Sequence, residues 1–114
     1  MSTATALRGK PIPPFPADAV QTRLRDELIG AVQAEARRKG EALPKNRDEI
    51  ALQSIEIDSL TVVELLCAVH GILPFQVGEN VVRAGGYLSI DDAVKHVVER
   101  IEQQWRKHHN GGKT

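Results

Sequence analysis

Apolar residues recur at steps of three and four along three stretches of the chain, which is the spacing of one face of an α-helix. The first stretch follows Asp18 and stops at Gly40. We predict a helix here, with Asp18 as its N-cap, Gly40 as its C-terminal stop and the run Arg37-Arg38-Lys39 at the negative end of its dipole. Its apolar positions are Val20, Leu24, Leu28, Ala31, Val32 and Ala36.

The second stretch, residues 59–70, is apolar almost all round, with Thr61 and Glu64 as its polar exceptions. Its length, and Asp58 as an N-cap just before it, favour a helix over a buried strand. A helix of this composition either lies at the centre of a bundle or keeps an apolar stripe for a partner. Gly71 ends it.

The clearest amphipathic pattern follows Ser89, which forms a near capping box with Asp92 three residues later. Before this last helix, the short apolar piece Val81-Val82 predicts one short helix. Residues 41–57 contain Pro44 and no sustained period, so we expect a long connection there. The apolar positions of the last helix are Ile90, Ala93, Val94, Val97, Val98, Ile101 and Trp105. The connection residues expected to be held against the core are Ile50, Leu52, Ile55 and Ile57.

These elements predict an all-α fold, a small four-helix bundle with three main helices and one short third helix, over residues 18–107. The length of 114 residues suits a single domain. Residues 1–17 hold four of the six prolines, which exclude regular helix or sheet, so we expect a mobile Pro-rich arm. Residues 108–114 are polar and predict a frayed tail.

The chain has 15 Lys and Arg residues and 15 Asp and Glu residues, so its formal net charge is zero with histidine counted neutral. A protein that wraps a phosphate backbone needs a clear excess of Lys and Arg, so we expect no nucleic-acid partner. By position, the balance is +4 over residues 1–47, −6 over 48–82 and +2 over 83–114. The middle third is therefore an acidic block, typical of the faces of folded elements.

A single cysteine excludes an intramolecular disulfide and fits a reducing compartment. No apolar run approaches the roughly 20 residues needed to span a bilayer. The N-terminal residues lack the basic and apolar regions of a secretion signal. The sequence therefore predicts a cytoplasmic protein without a membrane span, and we expect a monomer.

Side chains suited to catalysis or metal binding are sparse. Cys67 lies in the apolar second helix with no cation nearby in sequence to activate its thiol, so we interpret it as a buried structural cysteine. The four histidines show no ligand spacing with Cys, Asp or Glu, so no metal site is predicted. No glycine-rich loop joins a strand to a helix, which argues against a nucleotide-binding fold. We therefore expect a protein that is not an enzyme.

One constellation remains, Ile57-Asp58-Ser59-Leu60, in which an acid and a serine open an apolar helix. A serine in the first helical turn lies over unpaired backbone N–H groups, so a phosphate esterified to its hydroxyl is well placed there. The plainer alternative is that Asp58 and Ser59 form only an N-cap.

The stretch from Ile57 to Leu66 resembles the phosphopantetheine attachment motif of acyl carrier proteins. In that family an Asp-Ser-Leu triplet opens the second helix and is followed by apolar residues and a glutamate, as Asp58-Ser59-Leu60 and Glu64 are here. The resemblance, which covers residues 18–104, implies a bundle of acyl-carrier type. It also implies that Ser59 bears a covalent 4'-phosphopantetheine arm and that Asp58 is contacted during its transfer. The partner-facing side that it implies consists of Leu60, Val63, Glu64 and Cys67.

The function implied by the resemblance is that of a non-catalytic carrier, which holds an acyl group as a thioester on the arm. Such a carrier delivers its cargo between enzymes of fatty-acid, lipid or polyketide-type biosynthesis. Its partners are a phosphopantetheinyl transferase and the enzymes that load and transfer the acyl group. The alternatives are an unmodified helical interaction module and a carrier of aminoacyl or peptidyl cargo.

The chain departs from the family pattern on both sides of the motif. Ile55-Glu56 stands where many carriers have a Leu-Gly pair, and His70-Gly71 stands where acidic residues are usual. Because complementary charge steers encounters between proteins, these departures predict a specialised carrier with altered partners.

Overall fold

Four α-helices form the protein in a computed structural model that describes residues 14–109. They are α1 (Ala17–Lys39), α2 (Arg47–Leu52), α3 (Ser59–Leu65) and α4 (Ile90–His109). Two 3₁₀ turns, Leu66–Val69 and Glu79–Val81, lie between α3 and α4. The described residues contain no β-strand, only an isolated antiparallel bridge between Ile57 and Tyr87. The prediction of an all-α fold is therefore confirmed.

Helix α1 ends as its sequence predicts but begins two residues earlier. Gly40 adopts the left-handed conformation with φ of 72°, and its N–H and that of Glu41 donate to carbonyls of the last turn. The prediction of Asp18 as N-cap is wrong, since Pro16 precedes the helix and Asp18 lies within the first turn. The carbonyl of Pro16 accepts the N–H of Val20 at 3.0 Å, so the helical bonds start at the proline.

Helix α2 forms inside the segment that the sequence predicts as a long connection. Asn46 starts it, because its side chain accepts the N–H groups of Asp48 at 2.7 Å and Glu49 at 3.3 Å. A helix of six residues is too short to show a period, which is why the pattern does not indicate it. The short helix of the bundle is therefore the second, and the expected one at Val81-Val82 is only a 3₁₀ turn.

Burial in the connection agrees with the prediction for three of the four apolar residues. Ile50 and Ile57 are buried, and Ile55 packs half-buried against the core. The expectation for Leu52 is wrong, because its side chain is 70% exposed at the end of α2. Ile50 and Leu52 are two positions apart, so they point away from each other on a helix.

The predicted single helix over residues 59–70 divides into α3 and a tighter 3₁₀ turn, Leu66–Val69. Asp58 is its N-cap as predicted, because its Oδ1 atom accepts the N–H of Leu60 at 2.6 Å. The inward side of this segment consists of Val62, Leu66 and Val69, all buried. A short apolar helix therefore packs one side on the core and leaves its other side toward solvent.

Helix α4 begins at the predicted cap. Ser89 Oγ accepts the N–H of Asp92 at 3.0 Å, while Asp92 Oδ2 accepts the N–H of Leu88 at 3.3 Å. In a capping box the Asp92 carboxylate accepts the N–H of Ser89, whereas here it accepts the N–H of Leu88. The helix continues through His109, so residues 108 and 109 are helical rather than frayed, and residues 110–114 lie outside the described part.

Residues 14–17 belong to the folded domain, although the sequence predicts them as the end of a mobile arm. Phe15 meets the indole of Trp105 edge-on, with ring centroids 5.6 Å apart. Ala17 N–H also donates to the carbonyl of Phe15 at 2.7 Å. An aromatic side chain buries a large apolar area, which explains why Phe15, just before α1, packs on α4. The remainder of the predicted arm, residues 1–13, lies outside the described range.

Helix α1 is central to the fold, since it packs against α2, α3, the turn Leu66–Val69 and α4. The buried faces of these elements meet in one apolar cluster. Each large aliphatic side chain buried there contributes about 1.5–3 kcal/mol relative to exposure. No helix within residues 14–109 is both long and apolar enough to cross a membrane. Among the largest fully buried side chains are Leu24, Leu28, Ile29, Ile50, Leu66, Tyr87, Ile90 and Ile101.

Candidate functional site

Ser59 is the first residue of α3, directly after the capping residue Asp58. The serine is half-buried and Asp58 is exposed. Because the Asp58 carboxylate holds the N–H of Leu60, the backbone on both sides of Ser59 has a defined geometry. The hydroxyl thus stands on an ordered turn at the protein surface.

Four side chains that the family resemblance assigns to a partner surface lie on one side of α3 and the following turn. Leu60 is 62% exposed, Glu64 and Cys67 are exposed, and Val63 is half-buried. We call these four residues, which begin beside Ser59, the α3 face. The structure therefore brings together every residue of the predicted partner surface.

Cys67 contradicts the interpretation of a buried structural cysteine. It is exposed, three positions after Glu64, on the side opposite the buried Leu66 and Val69. A short helix that packs one side on a core turns its other side to solvent, whatever the hydropathy of the residues there. The position of Cys67 in the helical turn, rather than its residue type, therefore determines its exposure.

The segment just before Asp58 is paired with a second segment that is distant in sequence. Ile57 and Tyr87 exchange both of their backbone hydrogen bonds, each 2.8 Å long. Two residues earlier, Ile55 N–H donates to the carbonyl of Leu88 at 2.9 Å. These bonds connect the entry to α3 with the loop that leads into α4.

Gly86 permits this close approach. Its φ is +83°, and a Cβ atom built on it would lie 2.2 Å from the carbonyl oxygen of Ile57. Any side chain there forces the two segments apart, in addition to the strain of a positive φ. Gly85 also has a positive φ, of +94°, but a Cβ atom on it meets nothing within 4 Å. Only the second glycine is therefore required for contact with Ile57.

Four side chains join the loop before α4 to the helix itself. They are Arg83, Tyr87, Asp92 and His96, and we call them the Tyr87 cluster. Tyr87 Oη accepts the backbone N–H of Arg83 at 2.8 Å and lies 2.8 Å from His96 Nδ1. The Arg83 guanidinium lies 4.6 Å from the centre of the Tyr87 ring and makes two bonds of 3.3 Å to Asp92. The cluster ties the loop to the first two turns of α4.

Burial and neighbouring charges shift the pKa values in this cluster. Burial raises the pKa of the Tyr87 hydroxyl above its ordinary value. The pKa of His96 is lowered, first by burial and then by the positive charges of Arg83 and Arg100. Burial works against ionisation of Asp92, but hydrogen bonds from Arg83 and Leu88 lower its pKa nonetheless. The cluster therefore favours a neutral His96 and an ionised Asp92.

An open groove of about 910 Å³ lies between the C-terminal half of α1 and residues 53–58. Asp58 and Thr61 form its end at α3, on either side of Ser59 in sequence. The apolar part of its lining includes Leu28, Val32, Leu43 and Ile55.

The acidic block is unevenly neutralised. Asp48 forms an ion pair with Arg25 at 2.8 Å. In contrast, within residues 14–109 no cation lies in ion-pair distance of Glu56, Asp58 or Glu64, all of which are exposed. Three carboxylates near Ser59 therefore have no ion-pair partner in the described residues, although Arg38 and Lys39 also line the groove beside Asp58.

Within residues 14–109 the structure describes neither a metal site nor a base bonded to the Ser59 hydroxyl. In the part of the chain that the structure describes, no group of three or more Cys, His, Asp or Glu side chains is placed to hold a metal ion. The described hydrogen bonds also include none from a histidine, lysine or carboxylate to the Ser59 hydroxyl.

Sequence reasoning missed Gly86, Tyr87 and His96 as residues that bear on this site. One signal was available, because Tyr87 is the only tyrosine of the chain and directly follows two glycines. That pattern is typical of a close approach of two backbone segments, but it does not indicate which segment is the partner. Nothing in the sequence links Tyr87, or the residues near it, to Ile57, which lies 30 positions before the tyrosine.

This chain was compared with known protein families, curated proteins and solved structures. No model of a known protein family matches it, and no similar protein is found among curated sequences or solved structures.

Proposed function

We propose that the protein is a carrier that holds an acyl group as a thioester on a 4'-phosphopantetheine arm attached to Ser59. The observation that carries the proposal is the placement of Ser59. It is the first residue of α3, follows the cap Asp58 and adjoins the exposed α3 face. A motif residue hidden in the core or remote from this face would argue against the proposal.

The attachment itself requires a separate transferase. The Ser59 oxygen attacks the phosphorus of coenzyme A that bears the pantetheine, and a phosphodiester forms as the pyrophosphate bond breaks. Adenosine 3',5'-bisphosphate leaves, and the hydroxyl proton passes to a base of the transferase. This chain contributes an accessible hydroxyl in a turn whose geometry Asp58 maintains.

The α3 face suits recognition by other proteins. Leu60 presents an exposed apolar side chain, and Glu64 a carboxylate one helical turn further on. Exposed apolar side chains surrounded by charge are common at interaction sites. Because Glu56, Asp58 and Glu64 have no ion-pair partner in the described residues, the favoured partners present basic residues to this surface.

The groove beside Asp58 suits a group that hangs from Ser59. Its apolar lining offers burial to methylene groups, each worth about 0.8 kcal/mol. A cargo tethered at Ser59 is present at high effective concentration, both for the groove and for any docked enzyme. Fatty-acid, lipid or polyketide-type synthesis in the cytoplasm is the setting that this chemistry favours.

The experiment is transfer of the arm in vitro. The full chain is incubated with a promiscuous phosphopantetheinyl transferase and coenzyme A, and its intact mass is measured. We expect a gain of one phosphopantetheine, lost in Ser59→Ala and retained in Ser54→Ala, a matched change just outside α3. No gain by the native chain, while a known carrier is modified in the same tube, overturns the proposal. A gain by Ser59→Ala overturns the site.

A second candidate is an unmodified interaction module, favoured by the exposure of Leu60 together with the capping bond of Asp58. In that case the same incubation leaves the mass unchanged. A carrier of aminoacyl or peptidyl cargo gains the arm equally well. Mass analysis of the chain isolated from its native cells identifies the cargo and separates these two carriers.

A further inference from the structure

We infer that the Tyr87 cluster is a positioning device for Ser59, which holds the entry to α3 in the orientation that the modifying enzyme recognises. The inference rests on the proposed function. It assigns a role to Tyr87, Gly86 and His96, none of which belongs to the motif or to the α3 face.

The first step is the connection between the cluster and the serine. Ile57 is two residues before Ser59, and both of its backbone hydrogen bonds go to Tyr87, each at 2.8 Å. Ile57 is 4% exposed and Tyr87 1% exposed, so water does not compete for these bonds. The direction in which the chain enters Asp58 is thus set by the position of Tyr87.

The second step is the support of Tyr87 itself. Its buried hydroxyl accepts the N–H of Arg83, and the other partner described for it is His96 Nδ1. The O–H therefore donates to Nδ1, and we assign the neutral His96 tautomer with its proton on Nε2. The ring of Tyr87 is fixed at its far end by a bond in which Nδ1 of the neutral His96 accepts the phenol proton.

The third step concerns the charges around His96. Arg83 and Tyr87 face it from the loop, and Asp92, Glu99 and Arg100 influence it from α4. Protonation places a hydrogen on Nδ1, so that the Tyr87 hydroxyl loses its acceptor. A buried donor without a partner destabilises this arrangement. The loop then holds Ile57 less firmly at acidic pH.

We call the pairing of Ile57 with Tyr87 the clasp. Hydrogen exchange of the unmodified chain tests the clasp without reference to any modification. We compare Gly86→Ala with Gly85→Ala, because both place a side chain at a positive φ but only the first meets the Ile57 carbonyl. We expect protection of the Ile57 amide to fall roughly tenfold or more in Gly86→Ala. In Gly85→Ala, it changes no more than the average of the remaining core amides. Equal loss in both variants contradicts the clasp.

The rate of arm transfer to Ser59 tests the positioning role. For the same two variants, checked for native helicity, we expect kcat/KM of the transferase to fall only with Gly86→Ala. An unchanged rate in Gly86→Ala, with Ile57 protection lost, overturns the inference and leaves the proposed function standing. If the native chain gains no arm at all, the proposed function fails, and the exchange result still decides whether the clasp exists.

Two milder variants extend the test in case Gly86→Ala does not fold. Tyr87→Phe removes the hydroxyl but keeps the ring, and His96→Gln keeps an acceptor without a titratable ring. We expect Ile57 protection in the native chain to fall between about pH 7.5 and pH 5. In His96→Gln we expect the protection of Ile57 to be the same at both pH values, and in Tyr87→Phe we expect it to be low at both. A decrease of the same size in His96→Gln contradicts the role of His96, and normal transfer to Tyr87→Phe contradicts that of Tyr87.

Discussion

Asp58 and Ser59 have different tasks in the same helical turn. The Asp58 carboxylate accepts the N–H of Leu60 at 2.6 Å, which satisfies one of the donors that a helix leaves unpaired at its start. The Ser59 hydroxyl is not needed for that bond and remains free for chemistry. The acid therefore stabilises the turn, and the serine next to it is the residue that we propose is modified.

Cys67 gives a prediction at the level of a single residue. Because it is exposed on the α3 face, we expect one thiol per native chain to react with a disulfide reagent such as DTNB. The rate in the native protein should lie within about tenfold of the rate in denaturant, where the thiol is fully accessible. Release of the coloured thiolate is followed by absorbance.

Cys67→Ser provides the blank for this measurement and must give no release. A thiol that reacts only after unfolding contradicts the exposure of this side chain. The same residue then also leaves the α3 face, which would reduce the proposed partner surface to Leu60, Val63 and Glu64.

The helices differ in how they are stabilised. α1 and α4 are long enough, at 23 and 20 residues, to form continuous buried faces against each other. α2 and α3, with six and seven residues, are too short to be stable alone and depend on caps and on packing. Asn46 supplies the cap of α2 and Asp58 that of α3.

The buried face of α4 can be tested by comparing an inner residue with an outer one. Ile101 is fully buried on its inner face, while Gln103, two positions on, is exposed. We expect Ile101→Ala to lower the free energy of unfolding by about 2–5 kcal/mol, because it leaves a cavity in the core. The matched change Gln103→Ala should stay within about 0.5 kcal/mol. Urea unfolding followed by circular dichroism measures both, and similar effects of the two changes contradict the orientation of α4.

Charge is distributed by the fold in a way that the net value of zero does not reveal. Arg25 on α1 contacts Asp48 at 2.8 Å and Asp91 at 3.5 Å, so one basic side chain joins α1 to α2 and α4. These neighbours raise the pKa of Arg25, and the largest cause is the hydrogen bond that its guanidinium donates to Asp48. The basic flank of the sequence thereby neutralises acids away from Ser59 and leaves those beside it exposed.

The stability of the whole molecule should depend on pH through His96. Its pKa in the folded protein lies below the ordinary value of 6.5, chiefly because of burial. As the pH falls through 6.5, the unfolded chain binds this proton before the folded protein does. Stability is therefore complete above that pH and decreases as the pH falls toward the lower folded pKa.

We expect the free energy of unfolding in urea to be lower at about pH 5 than at about pH 7.5. His96→Gln should reduce this difference, since it removes the proton uptake and keeps an acceptor for Tyr87. An identical decrease in His96→Gln would show that other groups control the acid sensitivity. Asp92, whose pKa is lowered, loses its contribution only at more acidic pH, so it does not affect this comparison.

Local signals in the sequence determined much of this protein. The periods of α1 and α4, the stop at Gly40 and the caps Asp58 and Ser89 depend on residues within one or two turns, so a pattern reveals them. The candidate site rests on the family resemblance, which names Ser59 and the four residues of the α3 face and stays a prediction.

Only the tertiary structure decided the rest. Which side of the apolar α3 faces the core depends on where α1 lies, so the exposure of Cys67 follows from packing and not from its hydropathy. The pairing of Ile57 with Tyr87 joins residues 30 positions apart, and no local pattern specifies such a contact. Sequence thus determined which residue presents the hydroxyl, and the fold determined what holds that residue in place, because long-range contacts form only when the whole chain packs.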